Sequence, residues 1–358
     1  MTETIAPMFV LDAPPYHTVT LGKAATFHGV ALAPGRVPIE EIVAYREGAE
    51  IARTAVGIDS PELGWIPTQR SSRCRFSFDL AVDRGAAIDL FARDADGRDV
   101  AVFQYDVPMV EREGERLGGL ARCIRTKAAP PAELIATTQG IDDLDAYCDS
   151  TATSFLTMRS LLAAAGVEPS GIRSVLDVGC GTGRLLVGWH CDDPTRLLVG
   201  TDINPELIAW SRSNLAEVGR WEVNGVHPPL ALSAGSFDLI VLASVFTHLS
   251  LENQRAWLDE IHRLLAPAGH ALITLHGAIY AGLLFDEATA LKFNADGYVE
   301  RAVGPEGANS YSTFHSERFA RTLFSRFGSV TFFPRGVEGA IARAFPLAAQ
   351  QDVYVLAT

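Results

Sequence analysis

The chain has 358 residues and a formal net charge of −13; 48% of its residues are hydrophobic and 20% are charged. This balance predicts a globular protein of about two domains and excludes an intrinsically disordered chain, because burial of this much apolar surface offsets the entropy of ordering. The acidic balance argues against nucleic acid as a partner.

The apolar runs and the cysteines bear on the compartment. No run approaches the roughly 18 apolar residues of a membrane span, and the amino terminus lacks the basic start of a secretory signal. Five widely spaced cysteines include no Cys-x-x-Cys pair, which favours reduced thiols. We therefore expect a cytoplasmic protein without a membrane span.

Residues 17–107 contain short runs that alternate between apolar and polar side chains. Gly48 and Gly97 each follow an acidic residue between such runs, where a hairpin needs residues that tolerate a positive φ. The pattern predicts an immunoglobulin-like antiparallel β-sandwich, assigned to an accessory domain over residues 1–125. Substrate binding, a homo-oligomer interface and a brace for the second unit remain open as its role.

The stretch KAAPPAE at 127–133 contains adjacent prolines, which disfavour a helix, so residues 126–140 are predicted to be a linker. Beyond it, apolar residues recur at helical spacing from Leu144 to Gly166. The second domain is predicted over residues 141–358.

From residue 174 onward, short apolar runs alternate with amphipathic helices. Asn204 with Pro205, and later Ser250, are typical helix starts. The predicted strands are Ser174–Val178, Leu197–Thr201, Phe237–Ala243 and Ala271–Leu275. Short apolar strands separated by helices predict a doubly wound α/β fold, whose ligands bind beyond the carboxyl ends of the strands.

The first of these strands leads into VLDVGCGTGRLL, residues 175–186, where an acid precedes three glycines at alternate positions. Glycine permits backbone angles closed to other residues and lets a ligand approach without a Cβ in the way. A dinucleotide-binding loop would have its third glycine one residue later, and Asp177 would repel a pyrophosphate. The loop therefore predicts a site for a small molecule with a cationic group and no phosphate.

Three motifs follow one another in an order that carries a family resemblance. VLDVGCGTGRLL, LLVGTDINPELIAWSRSNL and FDLIVLASVFTHL are similar to the first motif, the second strand with its helix, and the fourth strand of class I S-adenosylmethionine-dependent methyltransferases. NGVHPPL, WLDEIHRLLAPAG and ALITLHG resemble a bacterial branch linked with sugar and glycan modification. The resemblance covers residues 144–358 and implies a Rossmann-like methyltransferase sheet, closed by an antiparallel pair at SVTFFPRGV and QDVYVLAT, with S-adenosyl-L-methionine as the cofactor.

The resemblance also implies the cofactor-binding residues. Asp177 would orient the loop and the methionine ammonium. Asp202 would accept hydrogen bonds from both ribose hydroxyls, serve as a helix-entry carboxylate, or do both. Asn224 stands where many relatives carry an acid that meets the adenine amine, and Ser244 would line the pocket or cap a turn. The implied set is Asp177, Gly179, Cys180, Gly181, Thr182, Gly183, Asp202, Ile203, Asn224, Gly225 and Ser244.

His248 is the expected catalytic base, because it directly follows the fourth strand and imidazole titrates near neutral pH. The alternative is a histidine that holds the loop by hydrogen bonding. A packing role is expected for His276 and His315. The segment WHCDD, residues 189–193, has metal-ligating residue types, but we interpret it as a solvated loop and predict no metal site.

An insertion over residues 278–311, rich in aromatic and acidic residues, is expected to cover the acceptor, with rings that stack on a sugar or pack under the lid. We predict an S-adenosylmethionine-dependent methyltransferase (EC 2.1.1) that methylates an oxygen of a sugar, a glycan or a glycosylated small molecule. Two alternatives remain: N- or O-methylation of a lipophilic natural product, and a non-catalytic protein that senses the cofactor and binds carbohydrate.

Overall fold

The computed structural model describes residues 7–14, 19–33, 37–64, 66, 71–85, 87–140, 142–336 and 350–358. Its strands are β1 Met8–Ala13, β2 Lys23–Leu32, β3 Ile39–Arg46, β4 Ala49–Ala55, β5 Arg75–Val82, β6 Ile88–Asp94, β7 Asp99–Tyr105, β8 Ser174–Val178, β9 Leu197–Asp202, β10 Arg220–Val223, β11 Phe237–Leu242, β12 Leu265–Leu275, β13 Tyr298–Ala302, β14 Tyr311–His315, β15 Ser329–Phe333 and β16 Asp352–Ala357. Its α-helices are α1 Val107–Lys127, α2 Ala132–Gln139, α3 Leu144–Ala164, α4 Arg184–Asp192, α5 Pro205–Asn214, α6 Leu251–Leu264, α7 Ala278–Leu284, α8 Glu287–Asp296 and α9 Glu317–Leu323. Among these described helices, none has the length and apolar character needed to cross a bilayer.

The amino-terminal strands form two antiparallel sheets, with the orders β1-β2-β5 and β4-β3-β6-β7. Gly48 and Gly97 stand in the predicted turns, each with a φ of 79°. The rings of Phe27 and Tyr105, one from each sheet, lie 5.0 Å apart. Antiparallel sheets are therefore confirmed over this range, while their stacking as an immunoglobulin-like sandwich stays a prediction.

The region between the two predicted domains is largely helical. Helix α1 occupies the charged stretch before the prolines, and α2 begins directly after Pro131. Leu134 and Ile135 of α2 are buried, so this part of the predicted linker packs against the rest of the chain. The domain boundaries themselves stay a prediction.

The carboxyl-terminal half contains a seven-stranded sheet with the order β10-β9-β8-β11-β12-β16-β15. Strands β8 to β12 run parallel to one another, whereas β16 runs antiparallel to its neighbours β12 and β15. This arrangement confirms the predicted α/β sheet and its closing antiparallel pair. Because the strand order reverses between β8 and β11, a crevice lies beyond their carboxyl ends.

The predicted helix starts are also present. The Asn204 side chain accepts a hydrogen bond from the Glu206 amide at 2.9 Å, and Ser250 Oγ accepts one from the Asn253 amide at 3.2 Å. These caps satisfy amides that a helix leaves without a partner in its first turn. Strand β12 begins at Leu265, earlier than the sequence predicted.

The interpretation of residues 189–193 as a solvated loop is wrong. Residues 189–192 continue α4 and Asp193 follows its end; Trp189 is fully buried against Phe155 at a ring distance of 5.2 Å, and His190 is also buried. Asp192 forms ion pairs with Arg159 and Arg196. The apolar residues of α4 keep a helical spacing as far as Trp189. The polar residues that follow Trp189 therefore form the last turn of this helix. Across the described ranges, no group of three or more His, Cys, Asp or Glu side chains could hold a metal ion.

The prediction of reduced thiols is wrong for two cysteines. Cys123 of α1 and Cys191 of α4 form a disulfide with their Cα atoms 6.0 Å apart. Their 68-residue separation conceals this proximity in the sequence. Cys74, Cys148 and Cys180 are buried and lie outside this disulfide.

Reduction of this disulfide is expected to lower the free energy of unfolding by about 2–4 kcal/mol, because the cross-link restricts a long loop in the unfolded chain. Urea unfolding with and without a phosphine reductant measures the difference. The Cys123→Ser/Cys191→Ser double variant should match the reduced protein under both conditions. Equal stability of oxidised and reduced wild type would contradict the prediction.

Candidate active site

A cavity of about 410 Å³ lies beyond the carboxyl ends of β8, β9, β10 and β11. Its walls come from the glycine loop, from residues that follow these strands, from α2 and from the loop after β13. The cavity is therefore at the edge of the sheet that the topology predicts for a ligand.

The glycine loop turns sharply because its glycines adopt left-handed backbone angles. Gly179, Gly181 and Gly183 have φ values of 72°, 57° and 75°. The amides of Gly179 and Cys180 donate to the carbonyl of Thr201 at 2.7 and 3.0 Å, which holds the loop against β9. Gly179, Cys180, Gly181 and Thr182 line the cavity, whereas Gly183 does not.

Gly183 is needed for packing. A Cβ on Gly183 would lie 2.4 Å from Trp221 Cη2, closer than side chains can approach. Gly183→Ala is therefore expected to lower the free energy of unfolding by about 2–4 kcal/mol, from backbone strain and overpacking together. Urea unfolding measures this loss.

Gly235→Ala is the matched control, since Gly235 has a φ of 66° and a Cβ added there would have no other atom within 4 Å. It should cost only the backbone strain of about 1 kcal/mol. Equal losses for the two variants would contradict a steric role for Trp221.

Asp177 and Arg184 form the charged floor of the cavity. Asp177 is buried and receives no hydrogen bond from the described side chains and amides around it, and burial raises the pKa of its carboxyl to about 7. The nearby Arg184 opposes this rise, while Asp202 adds to it. Arg184 donates to Ser154 Oγ at 2.9 Å. The floor thus offers an acid that a cationic ligand would ionise.

Asp202 stands at the end of β9 and is buried. One carboxylate oxygen accepts from the Gly181 amide and the other from the Asn204 amide, both at 2.8 Å. Burial raises the pKa of Asp202, and these amides lower it. Each oxygen can accept a further hydrogen bond, so the helix-entry role and ligand binding are compatible.

Asn224 follows β10 and also lines the cavity. Its Nδ2 donates to the Gly225 carbonyl at 2.7 Å, whereas its Oδ1 is buried without a partner among the residues that the structure describes. An unpartnered buried acceptor is costly unless a ligand donates to it. Ile203 lines the cavity and is partly exposed, while Gly225 does not reach the wall.

His248 lies in a short 3-10 turn after β11 and faces the cavity. Its Nδ1 is 2.8 Å from the Tyr311 carbonyl oxygen, which only accepts, so Nδ1 carries the proton. Nε2 is then the basic nitrogen, and it has no partner within the described chain. Burial lowers the pKa of His248, so the ring is neutral at pH 7.

His276 and His315 lie behind the cavity wall. His276 stacks on Tyr280 at 4.4 Å, and His315 Nε2 is 2.9 Å from Gln254 Oε1. Burial lowers the pKa of both histidines to about 3, so neither takes up a proton near neutral pH. Their geometry agrees with the packing role expected from the sequence.

Sequence reasoning missed one part of the wall: Thr137 and Thr138 reach the cavity from α2. Asn309 reaches it from the loop after β13, which belongs to the insertion predicted over residues 278–311. The Gly307 amide of this loop donates to the His248 carbonyl at 2.9 Å. The sequence carried no signal for the threonines, because they lie in a stretch that its prolines marked as a linker.

Comparison with known proteins gives the family of the central segment. Residues 175–269 match the family model described as a methyltransferase domain. This central segment is therefore similar to a methyltransferase domain. Two relatives are malonyl-[acyl-carrier protein] O-methyltransferases: that of Geobacter sulfurreducens is 30% identical over 44% of this chain and 54% of its own length, and that of Hahella chejuensis is 31% identical over 28% and 35%. This chain thus spans about half or less of the length of these two relatives.

Solved structures similar to this chain include a methyltransferase from Methanosarcina mazei, at 14% identity, a TM-score of 0.37 and coverage of 51% of this chain and 90% of that one. The structure named PigF with SAH has 18% identity and a TM-score of 0.39, with coverage of 70% and 72%. A methyltransferase from Archaeoglobus fulgidus has 14% identity and a TM-score of 0.38, with coverage of 57% and 94%.

Proposed function

We propose that the protein transfers the methyl group of S-adenosylmethionine to a hydroxyl oxygen and that His248 Nε2 accepts the hydroxyl proton. The observation that carries the proposal is the hydrogen bond from His248 Nδ1 to the Tyr311 carbonyl, which leaves Nε2 as a neutral base in the cavity wall. When bound, the cofactor supplies an activated methyl group. The protein must then align the acceptor and remove its proton.

The residues of the cavity fit this cofactor. The unpartnered Asn224 Oδ1 suits the adenine amine, and the remaining lone pairs of Asp202 suit ribose hydroxyls. Gly179 and Gly181 present backbone without side chains, and Asp177 suits the ammonium group of the methionine portion. Thr137 and Thr138 would close this end of the cavity from α2.

Asp177 predicts a proton release on cofactor binding. A cation beside this buried acid lowers its pKa from about 7, so a fraction of a proton should leave per bound S-adenosylhomocysteine at pH 7. Calorimetry in buffers of different ionisation enthalpy measures this release. Asp177→Asn should abolish the buffer dependence, and a wild-type enthalpy independent of buffer would contradict the prediction.

The sugar or glycan predicted from the sequence as the acceptor carries hydroxyl groups and therefore belongs to the proposed class of acceptor. The aromatic rings of the insertion give it no added support, because Phe285 packs on Phe293 and Phe314 at ring distances of 5.6 and 4.6 Å. The named activity of the two relatives favours a carboxylate acceptor as the second candidate. A carboxylate is already ionised near neutral pH and needs no base.

Methyl-labelled S-adenosylmethionine and four acceptors would test the proposal: methyl α-glucopyranoside, 4-nitrophenol, benzoate and benzylamine. Transfer to a hydroxyl compound, with release of S-adenosylhomocysteine, is expected. Transfer to benzoate or benzylamine alone would overturn hydroxyl methylation in favour of the second candidate or of N-methylation. Tight NADH binding without S-adenosylhomocysteine binding would overturn the cofactor as well, and binding without any turnover would favour a cofactor sensor.

We also propose that residues 1–125 form an accessory domain that braces the catalytic unit. Support comes from contacts across the chain: Arg335 donates to the Pro7 carbonyl at 2.8 Å, and Gln350 donates to the Phe9 carbonyl. A cytoplasmic location and a homo-oligomer stay predictions.

A further inference from the structure

A closed ring of three hydrogen bonds adjoins the cavity. The Ser244 amide donates to Thr274 Oγ1 at 2.8 Å, Thr274 Oγ1 donates to Gln351 Oε1 at 2.5 Å, and Gln351 Nε2 donates to Ser244 Oγ at 2.9 Å. Thr274 and Gln351 are buried, whereas Ser244 lines the cavity. The ring joins the carboxyl ends of β11 and β12 to the start of β16.

The direction of every bond in the ring follows from its one backbone member. An amide can only donate, so Thr274 Oγ1 accepts from Ser244 and directs its own hydrogen to Gln351. Only the oxygen of the Gln351 amide can accept that hydrogen, which turns Nε2 toward Ser244 Oγ. Ser244 Oγ therefore accepts within the ring, and its own hydrogen is left without an acceptor among the described residues.

The backbone conformation of Ser244 indicates that its side chain is held in a fixed position. Its φ of 59° lies in the left-handed region, which is uncommon for residues other than glycine. Such a conformation persists where surrounding bonds hold it, and the amide bond to Thr274 does so here. Ser244 is thus a cavity-lining residue whose backbone and hydroxyl are both held in place by hydrogen bonds.

Ser244 and His248 share one side of the site. Both follow β11, whereas Asp202 and Asn224 follow β9 and β10, on the other side of β8 in the sheet. The nucleoside portion of the proposed cofactor belongs to the β9 and β10 side, so the β11 side is left for the acceptor.

We infer that the Ser244 hydroxyl donates a hydrogen bond to the acceptor oxygen and orients it beside His248 Nε2, with Gln351 and Thr274 as positioning residues. One lone pair of the acceptor oxygen takes this bond, its proton goes to Nε2, and its second lone pair forms the bond to the methyl carbon as the carbon–sulfur bond breaks. This inference rests on the proposed function and names a further residue for it.

A crystal structure of the wild type with S-adenosylhomocysteine and glycerol gives a test that needs no natural acceptor. We expect a water or glycerol oxygen within about 2.6–3.2 Å of both Ser244 Oγ and His248 Nε2. A structure in which Ser244 Oγ bonds to S-adenosylhomocysteine, or in which no oxygen joins the two side chains, overturns the inference.

The Gln351→Glu variant distinguishes a role of Gln351 in positioning the Ser244 hydroxyl from a purely structural role. A carboxylate only accepts, so one oxygen still accepts from Thr274, while the other draws the Ser244 hydrogen away from the cavity. With the hydroxyl compound that the wild type methylates fastest, kcat/KM for the acceptor should fall about fivefold to tenfold, as it should in Ser244→Ala. The double variant should lose no more than either single one.

The affinity for S-adenosylhomocysteine, measured by calorimetry, should stay within about twofold in both variants. Thr153→Val is the control, because Thr153 is a buried threonine of α3 whose hydroxyl bonds only to carbonyls of its own helix. Its acceptor kinetics should match the wild type. Unchanged acceptor kinetics in Gln351→Glu, or a tenfold loss of S-adenosylhomocysteine affinity in Ser244→Ala, overturns the inference. Absence of any binding or turnover by the wild type instead overturns the proposed function.

Discussion

Asp202→Ala is expected to weaken S-adenosylhomocysteine binding by about a hundredfold or more. A hydrogen bond to a charged group contributes about 1.5–3 kcal/mol, and this carboxylate would make two such bonds to the ribose. The same change removes the acceptor for the Gly181 amide, so the glycine loop loses one of the bonds that hold it to the end of β9. Calorimetry with S-adenosylhomocysteine measures the loss.

Two variants separate the contributions of this carboxylate. Asp202→Asn keeps one acceptor oxygen and should bind with intermediate affinity. Glu206→Ala removes an exposed acid from the first turn of α5, close in sequence but outside the cavity wall, and should bind as the wild type does. Wild-type affinity in Asp202→Ala would rule out a ribose contact and leave the acid with its helix-entry role alone.

His248→Ala is expected to lower kcat with a hydroxyl acceptor by about 10²–10⁴-fold, the usual contribution of a positioned general base. His248→Gln should lose a similar factor, because an amide can reproduce hydrogen bonds of the loop but cannot accept the proton. The measurement is the initial rate of S-adenosylhomocysteine release at saturating cofactor. Recovery of activity by the glutamine variant would identify a histidine that only holds the loop.

The pH profile adds an independent check on His248. Burial lowers its pKa, so the basic form persists below the ordinary value of about 6.5. The wild-type kcat should therefore be flat around pH 7 and fall only at lower pH, as the ring takes up a proton. This acid limb should vanish in His248→Ala. A carboxylate acceptor would give no such limb from His248, since it has no proton to lose.

In the amino-terminal half, sequence patterns predict local structure but not which distant segments contact one another. Alternating side chains and acid-glycine turns predict antiparallel strands, because both depend on neighbours a few residues apart. The bond from Gln350 to the Phe9 carbonyl and the disulfide between Cys123 and Cys191 join residues far apart in sequence. Such contacts leave no periodic signal in either partner, so the prediction of reduced thiols failed there.

The sequence by itself determined the α/β sheet and the helix starts, and it predicted which residues would bind the cofactor. Asp177, the glycine loop and Asp202 follow strands directly, and parallel strands bring their carboxyl ends to one edge. Only the tertiary structure decided which glycine packs on Trp221, which nitrogen of His248 is basic, and how Gln351 directs the Ser244 hydroxyl. These depend on atoms from separate segments meeting within a few ångströms, a property that the folded chain alone defines.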